Sequence, residues 1–508
     1  MSACLFKLLN INFESVMNHF LHRILLSVLT ALLLSGCSGK EVIKELPAEN
    51  LPEIEPDYSG IVIPSNIAPL NFIVKEEGTR YFITFSVEGK KTFSVKSRRN
   101  VIIIPQKKWR NLLKGSSGNA LSIDITVTDR QGVRKKFATI TNFIADDPVD
   151  PYITYRVIHP GYERWNEISI CQREIMSFKV KTLINNYDAE ENCVNCHSFN
   201  NGKSNDFLFH MRGSLGGTFF YSEGKLVKYN LKTPEMKNSA VYPRWHPSGR
   251  YVAFSSNKIV QRFHVLDSKK IEVSDLESSL VLYDRERNEI MPVPLEMDSL
   301  SMDTYPEWSP DGKTLYFCRA PRIGEIYNYQ SIRYDLWKVP FNPDTREFGK
   351  EEIFFRASDT GKSISFPRIS PDGKFIIVTM SNYGCFPIWH PEADLYSINT
   401  ETGHAERLNL NSNNSTESYH SWSSNGKWIL FATRRDNGST TKPYIAYFNN
   451  SGQTSKPFAL PQKNPLREHY NIRSYNLPEF SQFKLNMTPG KIRKFSRLKP
   501  IAAKWAGK

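Results

Sequence analysis

The sequence predicts an all-β protein, an amino-terminal β-sandwich followed by a β-propeller, and three observations carry that expectation. Short runs alternate apolar and polar residues from Ile61 to about Ala145. One turn-and-strand unit then recurs four times further along the chain. The composition agrees: 12% of the 508 residues are aromatic, and 30 Pro with 27 Gly supply turns, a balance that suits many short strands better than a helical bundle.

In chain order, residues 17–37 read as an export signal: a basic-tipped start, an apolar run from Ile24 to Leu34, then small residues before Cys37. The apolar run is shorter than the ~20 residues of a membrane span. Leu34-Ser35-Gly36-Cys37 resembles the bacterial lipobox, and that resemblance implies a lipid on Cys37. Ser38 after it resembles the sorting pattern of outer-membrane lipoproteins, which implies the cell envelope as the location and the membrane as a partner. Residues 1–37 are thus assigned to the signal. Residues 38–57, rich in Glu and Pro, are assigned to a tether.

Residues 58–148 form the expected sandwich. Runs such as RYFITFSVEG and ALSIDITVTD put one apolar face inward, and no catalytic motif interrupts them.

Residues 149–482 hold the repeats. Pro243-Arg-Trp-His-Pro-Ser-Gly249, Pro306-Glu-Trp-Ser-Pro-Asp-Gly312, Pro367-Arg-Ile-Ser-Pro-Asp-Gly373 and Ser421-Trp-Ser-Ser-Asn-Gly426 are each followed by a cation and an apolar strand. Pro fixes φ, Gly supplies φ > 0, and the next strand returns antiparallel. With the second recurring strands, such as LVLYD at 281 and DLYSIN at 394, each unit supplies about four strands, one propeller blade. The Trp-Ser-Pro-Asp-Gly-Lys signature resembles that of TolB-like propellers over roughly residues 150–480, and the resemblance implies six blades.

Two incomplete openings reach that number. Leu477-Pro-Glu-Phe-Ser481 has no strands after it and is expected to be completed by Tyr152 to Lys181, which would leave no open sheet edge. His197-Ser-Phe-Asn-Asn-Gly-Lys203 aligns with Trp308-Ser-Pro-Asp-Gly-Lys313.

Cys193-Val-Asn-Cys196-His197 has the spacing of a c-type haem attachment site. Two thiols would reach the porphyrin vinyl groups, and His197 would ligate the iron. Candidate distal ligands are His246 and His420, at blade openings, and His210, with Met211 beside it; an open sixth position is the alternative. The expected activity is electron transfer or sensing of a redox ligand, with a redox or envelope protein as partner. The competing reading is a protein- or glycan-binding scaffold in which Cys193 and Cys196 form a disulfide, or a zinc half-site lacking its second pair. Cys171, Cys318 and Cys385 read as core residues.

The formal charge of +14 does not by itself imply nucleic acid. More than half of it lies in the basic tail, residues 483–508, where Lys484, Lys491, Arg493, Lys494, Arg497, Lys499, Lys504 and Lys508 meet no acid. Such a run is a solvated end or a docking arm for anionic lipid. No GxSxG elbow, HExxH helix or carboxylate pair marks a hydrolase.

Overall fold

The computed structural model describes residue 17 and residues 45–159, 167–200, 206–264, 269–296, 301–323 and 326–507. The export signal, Cys37, the first part of the tether and residues 201–203 of the CxxCH-side turn lie outside the described residues.

Strand alternation builds the amino-terminal unit. Arg80–Val87 and Ala120–Thr128 pair antiparallel, each burying every second side chain. They are central to a seven-stranded sheet, and a three-stranded sheet of Ile54–Glu55, Phe72–Val74 and Val101–Ile102 shares their apolar cluster. The helix Gln106–Leu113 adds Trp109, Leu112 and Leu113 to it; the Trp109 indole donates to the Ile67 carbonyl at 3.0 Å. The tether is shorter than its composition suggests. Glu45–Pro47 and Ile54–Glu55 are strands, and Ile54 and Tyr58 are buried, so the folded unit already includes residues 45–57.

Six further sheets of four or five strands follow. Their first strands, Cys193–Phe199, Ala240–Trp245, Ser301–Trp308, Ser363–Ile369, Glu417–Trp422 and Ser474–Ser481, touch in cyclic order around one axis. This is a closed β-propeller. Blade 1 joins both ends of the ring: Ser474–Ser481 pairs with Tyr152–Ile158, and Ser169–Glu174 and Val180–Asn185 complete it. Blades 2 to 6 open in chain order, so the CxxCH strand is the inner strand of blade 2.

The repeated turn has a side-chain mechanism. Ser309 Oγ donates to Asp311 Oδ1 at 2.6 Å and accepts from the Thr314 amide at 2.9 Å, while Gly312 takes φ 72°. Ser370 with Asp372 and Ser423 with Asn425 repeat it. The apolar strand after each turn packs between blades.

Two features tie blades together. The strands Tyr251–Phe263 and Ile271–Asp284 of blade 3 form a long hairpin that reaches blade 5: Glu272 accepts from the Tyr383 hydroxyl at 2.9 Å and pairs with His390 at 3.0 Å. The basic tail, in turn, is a strap and not a solvated end. The helix Pro489–Ser496 buries Ile492, and Ile501–Ala502 and Lys504–Trp505 pair in parallel with the outer strands of blades 2 and 3. Its apolar residues Leu485, Met487 and Ile492, few among many cations, seat it.

Candidate functional site

Each inner strand breaks its pairing at the same place. A two-residue bulge falls at Cys196-His197, Tyr242-Pro243, Tyr305-Pro306, Phe366-Pro367, Tyr419-His420 and Leu477-Pro478. The first residue of each pair is left-handed, with φ of 54°, 50°, 51°, 52°, 50° and 51° in that order. A non-glycine residue there costs about 1–2 kcal/mol, so six in register mark a built feature of the ring.

This register corrects the alignment drawn from the sequence. His197 corresponds to Pro306, and it is Phe199 that corresponds to Trp308. Seven residues separate Phe199 from its partner Phe207, and six separate Trp308 from Leu315, so the Gly-Lys of the two turns is not equivalent.

The left-handed residues form an apolar collar. Tyr242, Tyr305, Phe366 and Tyr419 pack ring to ring at 4.6, 4.2 and 5.1 Å, and Cys196 and Leu477 complete the circle. The collar leaves a cavity of about 50 Å³. Two residues further along each strand stand Ser198, Arg244, Glu307, Arg368, Ser421 and Glu479, a polar belt that sequence reasoning missed. Arg244 pairs with Glu307 at 2.5 Å and with Glu479 at 3.2 Å; Arg368 reaches Glu307 at 3.4 Å. Burial, together with the neighbouring Arg244 charge, lowers the Arg368 guanidinium to about 10, and burial raises Glu479. Beyond the belt the channel opens into a funnel of about 240 Å³, lined by Phe199, Trp308, Trp422, Phe480 and the prolines of the repeated turns.

Of the candidate iron ligands, His197 and His420 line the same small cavity as Cys196, and His246 and His210 do not join them. His246 follows Trp245 into the turn, where it bonds Ser248 Oγ at 2.8 Å and the Gly312 carbonyl at 3.0 Å. His420 holds the Ile377 carbonyl at 2.8 Å, and His210 sits opposite Thr218 with Nδ1 3.2 Å from its hydroxyl. Met211 is buried in the core between blades 1 and 2. Burial pushes His420 down to about 3 and His210 to about 4, so both are neutral. Among the described residues, no three His, Cys, Asp or Glu side chains form a metal-binding group.

His197 is the exception in its bonding. It is buried in the channel wall beside Phe207, and burial pushes it down to about 3. Its ring lies near main-chain groups of Thr154 and Leu477, yet neither nitrogen reaches hydrogen-bond geometry.

Cys193 and Cys196 are both free thiols, as are the buried Cys171, Cys318 and Cys385. Burial raises the Cys193 thiol, which accepts from Asn195 Nδ2 at 2.8 Å. The Cys193–Cys196 disulfide of the competing reading is not formed. Cys193, Val194 and Asn195 are paired with Arg212, Met211 and His210 in an extended ladder. Three extended residues separate Cα atoms by about 10 Å, beyond the ~7 Å that a disulfide spans.

A porphyrin does not fit this arrangement either. Two thioethers and an axial imidazole on one macrocycle need a chain that wraps its edge, and here the segment is a paired strand with its histidine in the wall. The adjoining cavity, about 50 Å³, has no room for a macrocycle.

No family model and no curated protein matches the sequence. Solved structures are similar at low identity. An oligogalacturonate lyase in complex with manganese is 12% identical, covering 60% of this chain and 72% of its own, with a TM-score of 0.34. An oligogalacturonate lyase from Vibrio parahaemolyticus is 11% identical over 74% of this chain and all of its own, at 0.31. A hypothetical selenium-binding protein from Sulfolobus tokodaii is 8% identical over 68% and 96%, at 0.40. At these values no function transfers to the β-propeller described here.

Proposed function

We propose that this protein is a non-enzymatic binding scaffold of the bacterial cell envelope, anchored through a lipid on Cys37, whose propeller funnel receives the carboxylate end of a glycan or peptide. Arg368 carries the reading. Its guanidinium lies below the funnel with Nη1 committed to Glu307 and the Pro367 carbonyl, which leaves donors in a fixed fork for an incoming carboxylate. Trp308 and Trp422 offer flanking aromatic surface, and the Trp308 indole N–H is buried without a partner. The cavity of about 240 Å³ suits one terminal residue and not a whole chain. Calorimetry with short acidic glycans and peptides tests this. Binding that is lost on Arg368→Met and on amidation of the carboxylate supports the reading; equal binding of the amide opposes it.

A second reading keeps covalent haem. The free thiols of Cys193 and Cys196 and the bare imidazole of His197 favour it. It requires residues 193–199 to take a conformation other than the paired strand. When bound, haem would supply one-electron chemistry. Protein made in a host that matures c-type cytochromes distinguishes the two: a haem stain that survives a denaturing gel supports this reading, and colourless protein supports the scaffold.

A further inference from the structure

The solvent face of the amino-terminal sheet concentrates positive charge, with one acid, Asp124, among five cations. In one cross-strand row Arg80 stands opposite Thr128, and Thr128 opposite Arg134. In the next row Lys96 faces Phe82, Phe82 faces Thr126, and Thr126 faces Lys136. Arg98 follows at the end of the strand that carries Lys96. All five cations are exposed and line one shallow groove, and among the described residues none of them forms an ion pair. Asp124, the acid in that groove, accepts from Thr139 at 2.7 Å. The outer strands of the four are three spacings apart, about 14 Å, so the charges form a flat array and not a pocket. Phe82, 40% exposed with Lys96 over its ring at 5.6 Å, puts an apolar group at the centre.

Chain geometry names the occupant. Glu45 pairs with Arg134 on the edge of this same sheet, and Cys37 is eight residues upstream. Eight extended residues reach at most about 28 Å, which is comparable with the width of the face. We infer that this face docks on an anionic lipid surface, orienting the propeller relative to the bilayer. The inference rests on the lipid anchor proposed at Cys37 for its geometry, though not for its charge complementarity. Each Lys or Arg near such a surface strengthens attachment about fivefold, so the five together hold one orientation.

The test uses the full-length exported protein with vesicles of phosphatidylcholine alone and of equal parts phosphatidylcholine and phosphatidylglycerol. Amine labelling of Lys96 and Lys136 is the readout, with flotation reporting the anchor separately. The expected result is protection of both lysines on the anionic vesicles only, lost at high salt and weakened about 25-fold in the doubly substituted R80Q/R134Q protein. If the protein fails to float on neutral vesicles yet binds anionic ones through these residues, the anchor falls and the docking face stands. Equal labelling on both vesicles overturns the inference, as does protection by soluble polyuronate without protection by anionic vesicles.

Discussion

Cys196 holds in blade 2 the position that Tyr419 holds in blade 6: each is a left-handed bulge residue, at φ 54° and 50°, each faces the channel, and each is followed by a buried neutral histidine. The last two residues of the CxxCH motif are therefore also a position in the repeat. Cys196-His-Ser-Phe199 parallels Tyr419-His-Ser-Trp422 residue for residue.

The first prediction follows from that equivalence. Pro occupies the position of His197 in four blades, as Pro243, Pro306, Pro367 and Pro478. His197→Pro is expected to change unfolding free energy by less than about 1 kcal/mol, measured by urea denaturation, whereas proline at a paired strand position removes a ladder hydrogen bond and in a helix interior costs about 3 kcal/mol. A loss of the larger size would mean that His197 does more than fill a bulge.

The polar belt yields the second. Glu307 is 8% exposed and holds both Arg244 and Arg368. Glu307→Ala leaves Arg368 buried without its carboxylate and is expected to cost about 3 kcal/mol in urea denaturation. Glu479 still neutralises Arg244, so Arg244→Ala combined with Glu307→Ala should cost less than the sum of the two single changes.

How far the sequence disclosed this architecture varies by element. The turn signature is local chemistry, a Ser, an Asp or Asn and a Gly within four residues, and so it was legible. The collar and belt were not, because their six members are spread over nearly 300 residues and differ in side chain; only the recurring Tyr-Pro, Phe-Pro, Leu-Pro and Tyr-His pairs before each core aromatic or Ile369 hinted at them. CxxCH drew attention to sulfur chemistry because its spacing is informative alone, while its pairing partners, Arg212 to Leu208, lay beyond any spacing rule. The strap was hidden by its cations, since three buried apolar residues decide its course.

The hairpin that ties blade 3 to blade 5 gives a pH prediction. Burial alone would lower His390, but hydrogen bonds to Glu272 and Glu392 outweigh it and raise its pKa. A raised folded-state value means the ionic contribution is complete below the unfolded value of about 6.5 and is lost as pH rises through the folded value. Glu392, lowered to about 2 despite burial by His390 and Lys269, contributes above its unfolded value and fails only as pH falls toward 2. Amide exchange in residues 271–275 should therefore be slowest near pH 5 to 6 after correction for intrinsic rates. His390→Gln should flatten the loss above about pH 6.5.

The strap supplies the fourth. Ile492 is fully buried against blades 1 and 2, and Ile492→Ala is expected to destabilise by about 2–4 kcal/mol. Lys494→Ala, on the same helix but exposed, should fall within about 0.5 kcal/mol of the parent protein. Thermal melts of both variants distinguish a packed strap from a solvated tail, for which neither change would register.

The central claim is that Cys193 and Cys196 stay free on a paired strand of the propeller. Mass spectrometry of the peptide spanning residues 193–197, taken from exported protein made in a host that matures c-type cytochromes, tests it most directly. The account predicts two cysteines that alkylate once the protein is unfolded, with no other added mass. A porphyrin carried on both sulfurs would contradict it.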